Sequence, residues 1–156
     1  MVDVFDVRQE SKTHYAMPVH TSQSQGGEAV DRRDFYRRIV ESSDSSVSTS
    51  GAEAMIRLIE RLDVEFPTTD IWLLTSHQHL VLMDVSTYDA GDWLVTVQGV
   101  LGDEHFLSYR MPDAVSPFPR GTEVHTTAIG IDQAITFIRI AMRESGGWIN
   151  SAELSR

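Results

Sequence analysis

Four of the six histidines in this chain fall between positions 77 and 125, and they are its residues best suited to chemistry. His77 and His79 stand two apart, a spacing that puts both imidazoles on one face of a strand. His105 and His125 lie in two further strand-like runs, with Asp84, Glu104 and Glu123 close by as oxygen donors. Imidazoles and carboxylates gathered on a sheet can hold a transition metal. One reading is therefore a metal-dependent or small-ligand enzyme built on His77, His79, His105 and His125. The expectation preferred here is that they are surface or core histidines and that no metal or cofactor is held. His77 and His79 flank a turn, and the other two reach them only in one particular strand register.

Other chemistries find less support. There is no cysteine, which removes disulfides, thiolate metal sites and a cysteine nucleophile. Neither a Gly-x-Ser-x-Gly elbow nor a glycine-rich phosphate loop occurs. Lys12 is the only lysine, so Schiff-base chemistry would rest on one polar terminal segment. The carboxylates Asp89, Asp92, Asp103, Glu104 and Asp113 sit where turns favour acidic residues. Arg110 precedes a proline-rich loop and either clamps an anion beneath it or pairs with an acidic neighbour. Phe118, between Pro117 and Pro119, either anchors an interface or tucks inward to pin the loop.

These residues need elements to position them. Residues 1–30 are expected to be a flexible arm, with a short edge strand near Val2 and Val4. A helix is expected over 31–41, capped by Asp31, with Phe35, Ile39 and Val40 on its apolar side and Arg32, Arg33, Arg37 and Arg38 facing solvent. The serine-rich run 42–50 reads as a linker. A second helix spans 51–63, opened by a capping box between Ser50 and Glu53. From Asp70 the apolar period shortens to alternation, giving strands in DIWLLTS, HLVLMDV, DWLVTVQGV and HFLSYRM, then a fifth over Glu123–Ile129. The break at Ser76-His77-Gln78 is either a turn or a bend in one strand. A last amphipathic helix runs 132–145 from an Asp132 cap to a Gly146-Gly147 stop, and residues 151–156 should fray. Strands grouped between helices predict an α+β domain over 31–150, with an antiparallel sheet of four to five strands and helices on one face.

The chain of 156 residues is 41% hydrophobic and 23% charged, as expected of a globular domain, and carries a net charge of −10. The acidic surplus lies mainly in residues 42–130, while 131–156 carry no net charge. Such a balance opposes binding to nucleic-acid phosphates and favours a partner with a basic surface. Acidic and basic residues interrupt the N-terminus, and no apolar run reaches membrane-spanning length, so the expectation is a cytoplasmic protein off the membrane.

Residues 70–150 resemble the small acidic bacterial immunity proteins of polymorphic-toxin systems, on Trp72, Trp93, the stretch MPDAVSPFPRGTEV and the AMRESGGW end. That resemblance implies neutralising a toxin by covering its active site. The leading expectation is a non-enzymatic protein-binding module contacting its partner through Arg110, Phe118, Asp89, Asp92, Asp103 and Glu104. An accessory subunit that docks through its N-terminal arm is a third reading.

Overall fold

A computed structural model describes residues 19–21, 31–85, 94–119 and 121–155. Asp89, Asp92, Trp93 and the strand expected near Val2 lie outside the described residues. The chain is an α+β protein with three helices and a six-stranded sheet. In chain order the elements are β1 (Val19–Thr21), α1 (Arg32–Ser42), α2 (Ser46–Glu65), β2 (Ile71–Ser76), β3 (His79–Met83), β4 (Val95–Gly99), β5 (Glu104–Arg110), β6 (Glu123–Ile129) and α3 (Ile131–Glu144). Spatial order follows chain order. Pairing is antiparallel from β2 to β6, whereas β1 runs parallel to β2.

The sheet is thus mixed and one strand larger than expected. The added strand comes from the segment expected to be a flexible arm. Val19 donates its backbone N–H to the Asp63 carboxylate (3.2 Å), and the His20 ring bonds Asp70 (2.7 Å) while stacking on Trp72. Those side-chain anchors hold a three-residue strand that its own ladder would hold weakly.

Helix α2 also begins earlier than its expected capping box. The Ser45 hydroxyl accepts the Ser48 N–H (3.3 Å) and caps the helix, so most of the serine-rich run is helical. The Ser50 hydroxyl, not needed as a cap, accepts the Gly102 N–H (2.8 Å) in the β4–β5 turn. Two residues of positive φ, His77 and Gln78, close a tight hairpin between β2 and β3, which settles that break as a turn. The Tyr36 hydroxyl donates to the Gln78 carbonyl (3.0 Å) and holds the hairpin from α1.

The core cluster beneath the helices takes one parity from every long strand, Ile71 and Leu73, Leu80 and Leu82, Val95 and Val97, Leu107, and Ala128, while in β3 the other parity, Val81 and Met83, is buried as well. Register places the first set on a single face. The same cluster includes Tyr36 of α1, Met55, Leu58, Ile59 and Leu62 of α2, and Ala134, Ile135, Ile138 and Met142 of α3. Beside this core, at the end of β4, Gly51 of α2 meets Gly99, backbone against backbone. A Cβ on Gly51 would lie 2.7 Å from the Gly99 carbonyl oxygen, and one on Gly99 would strike the Gly51 carbonyl.

Two expected ends differ. Asp132 does not cap α3; Gly130 stands at that position with positive φ, and Asp132 instead pairs with Arg61 (3.2 Å). The C-terminal residues are docked rather than frayed. Leu154 is buried, Glu153 bonds the Thr68 N–H and the Thr69 hydroxyl, and Arg139 donates to the Glu153 carbonyl while lying over the Phe66 ring.

Gly99→Ala places a methyl against peptide rather than against a movable side chain. It should cost about 3 kcal/mol, as overpacking in a rigid core does, read as a lower urea midpoint at unchanged slope.

Candidate functional site

The histidines separate in the fold. His77 is exposed in the hairpin turn and His79 opens β3, two strands away from β5. His105 points to the helices and His125 to the opposite face, because β5 and β6 register pairs Ser108, not His105, with His125. Among the described residues no three His, Cys, Asp or Glu side chains gather as a metal site. These four histidines therefore do not form one cluster on the sheet.

His105 is instead a core residue, 2% exposed, with neither ring nitrogen hydrogen-bonded in good geometry. It stands opposite Gly99, under the α2 backbone near Ala54. Burial holds its pKa below the ordinary 6.5, against the backbone of Ala54 and Asp103 and the Asp103 carboxylate, which favour the proton; Arg57 adds to the depression. Burial therefore disfavours the charged form of this imidazole.

The cleft between α1, α2 and the sheet, about 200 Å³, offers little chemistry either. Of its lining residues only Tyr36 titrates; its hydroxyl is committed to Gln78, and burial pushes its pKa upward. Helix α1 likewise spends three of its four arginines on structure, and Arg32, expected to face solvent, is buried. Arg32 donates from Nε to the Leu73 carbonyl (3.2 Å) and from Nη1 to the Thr75 hydroxyl (3.4 Å), just past the end of β1. Arg33 joins Asp31 to Asp63, and Arg37 pairs with Asp34. Although burial opposes it, hydrogen bonding to Arg33 keeps the Asp31 carboxyl below its usual range.

What remains open is the sheet face opposite the helices, over β5 and β6. Register sets Glu104, Phe106, Ser108 and Arg110 beside Ile129, Thr127, His125 and Glu123 on that face. Phe106 is 40% exposed and stacks on His125 with ring centres 5.7 Å apart; Ile129 is 67% exposed. Arg110 lies at the surface rather than beneath the loop. It pairs with Asp113 (3.5 Å) and lies against Gly121, closing the loop on itself. That loop is tied by the Gly121 N–H to the Phe118 carbonyl and by the Ser116 hydroxyl, which accepts the Phe118 N–H and contacts Thr122. Phe118 is left facing out, 64% exposed. Asp103 pairs with Arg57 (2.8 Å), and Glu104 projects from the other end of β5.

The expected binding residues that are described, Asp103 and Glu104 on one side and Arg110 and Phe118 on the other, thus lie towards the two ends of β5, about 20 Å apart, with Phe106 and His125 between them. Phe106 and Ile129 carry weak signals in sequence. HFLSYR has bulky residues in both parities, so alternation alone cannot say which side faces water. Comparison with protein-family models, with curated proteins and with solved structures gives no match.

The depressed pKa of His105 has a signed consequence. As pH falls through about 6.5, the unfolded chain binds a proton that the folded chain refuses, so stability drops toward acid. Below about pH 6.5 stability should fall as pH falls, with a slope from this residue that cannot exceed about 1.4 kcal/mol per pH unit. His105→Leu should flatten that part of the profile in urea melts at stepped pH.

Proposed function

We propose that the chain is a non-enzymatic protein-binding module whose contact surface is the open β5–β6 face with the adjoining Pro-Phe-Pro loop. The observation that carries this reading is the set of large apolar side chains kept in water there: Phe106 stacked on His125, with Ile129 on the same face and Phe118 and Val115 on the loop. Aromatic residues in solvent cost hydration free energy that a partner recovers by covering them. The acidic groups around them, Glu104, Asp113 and Glu123, suit a basic partner surface, as does the net charge of −10, while Asp103 is turned to Arg57 of α2. Arg110 is one of the few cations nearby, and Asp113 largely answers it.

An inhibitor or immunity-type role is the form of binding proposed, the module occluding a functional surface of a basic protein. The dispersal of the titratable groups favours covering a surface over catalysing a reaction. No helix among the described residues is long and apolar enough to cross a membrane.

Affinity capture from the native host, with wild type and with Phe106→Ser and Phe118→Ala, tests this. The wild type should retain one stoichiometric basic partner, released as ionic strength rises. Each substitution should weaken retention about 30-fold, the size of a hot-spot loss near 2 kcal/mol, with little change in melting temperature. Recovery of chaperones alone, equally by all three proteins, would overturn the proposal.

A further inference from the structure

The two edges of the sheet are finished differently. On the β2 side a short parallel strand covers the first half of the edge, and the buried Arg32 guanidinium takes up the Leu73 carbonyl at its end and the Thr75 hydroxyl beyond it. On the other side β6 ends the strand order, and no described strand pairs with its outer edge. Its seven residues contain no proline, lysine or arginine, the usual means of keeping an edge from pairing.

The direction of the free backbone groups can be read from the bonds on either side. The Gly130 N–H donates to the Asp103 carbonyl and the Met111 N–H to the Thr122 carbonyl, so Thr122 and Gly130 face β5. Alternation then turns Glu123, His125, Thr127 and Ile129 outward. The Ile129 N–H confirms the phase by donating to the Gln133 side-chain oxygen (3.0 Å) rather than to β5. Gln133 thereby caps one end of the edge, leaving His125 and Thr127 as its free centre.

Beside this edge lies a groove of about 370 Å³ between β6 and α3, floored by Thr126 and Ala128 and walled by Thr136, Phe137 and Ile140. The exposed stripe of α3 that borders it, Gln133, Thr136 and Ile140, carries no charge. Asp132, at its end, is paired with Arg61.

We infer that β6 pairs antiparallel with β6 of a second copy of this chain, about a two-fold axis at Thr126. Centred there, His125 stands opposite Thr127 of the other copy and the reverse, giving four N–H···O bonds without disturbing the Gln133–Ile129 bond. The same axis brings the two α3 stripes together, so that each copy's Ile140 and Phe137 help fill the other's groove. Charge selects the occupant. A chain of net charge −10 repels itself wherever its acids meet, and a basic partner would seek acids, whereas β6 brings one acid, Glu123, which this axis sets opposite Ile129 and about 20 Å from the Glu123 of the other copy. The elements also match in length, about 23 Å for the strand and about 21 Å for the helix. A strip of that size is at the small end of specific interfaces, so association belongs in the micromolar range. The inference stands apart from the binding function proposed above.

Sedimentation velocity on the full chain from about 1 µM to about 300 µM reads it directly. The mass should rise from 17.5 kDa toward twice that value and no further. Thr127→Pro removes an outward N–H that the fold does not use, and Ile140→Lys puts a charge on the neutral stripe. Each should weaken the dimer at least tenfold, with the dilute monomer melting near the wild-type temperature. Should the proline variant fail to fold, Ile140→Lys alone decides. A constant 17.5 kDa at every concentration, growth beyond a dimer, or wild-type dimerisation by a folded variant would each overturn the inference.

Discussion

The contact between Gly51 and Gly99 sets the position of nearly everything else. Helices usually rest on a sheet through side chains, at about 10 Å, but here two residues without side chains let α2 descend onto the β4 backbone. The close approach brings Ser50 to the Gly102 N–H, Arg57 to Asp103, and the α2 backbone near Ala54 over His105. It draws the β4–β5 turn to the helix layer. Because Glu104 follows directly, the same contact sets the register in which Phe106 and His125 come together on the far side.

The cost of that approach is visible at His105. A polar ring whose nitrogens lack good partners costs free energy when buried, and the surrounding apolar packing offsets it. The cations of α1 show the opposite arrangement. Arg32 and Arg33 give their hydrogen bonds to the sheet edge and to Asp31 and Asp63, which ties α1, α2, β1 and β2 into one corner of the molecule. The corner carrying β1 is thus closed by polar side chains, while on the other side no described strand pairs with the outer edge of β6 and Phe106 and Ile129 stay exposed.

Much of the fold was legible because its signals are local. Turn residues at 102–103, prolines over 112–119, the Asp31 cap and the Gly146 stop mark element ends that any packing must respect. The features missed depend on contacts distant in sequence. Val19–Thr21 becomes a strand through Asp63 and Asp70, and the tail is fastened by Thr68, Thr69 and Arg139. Ser50 looked like a helix cap because its spacing to Glu53 is right, but Ser45 competes for that role and a turn 52 residues away claims the hydroxyl. At the site, Phe118 and the Asp103–Glu104 turn could be picked out by residue type. Phe106 and Ile129 could not, since their exposure follows from which parity the helices cover.

The central claim is that the helices close one face of the sheet and leave the β5–β6 face in contact with water, available for a partner. Solvent paramagnetic relaxation on the dilute, isotopically labelled chain measures this directly. The account predicts strong broadening of the side-chain signals of Phe106, His125, Ile129 and Phe118, with those of His105, Leu107 and Ala128 nearly untouched. Equal protection of Phe106 and Leu107 would contradict it.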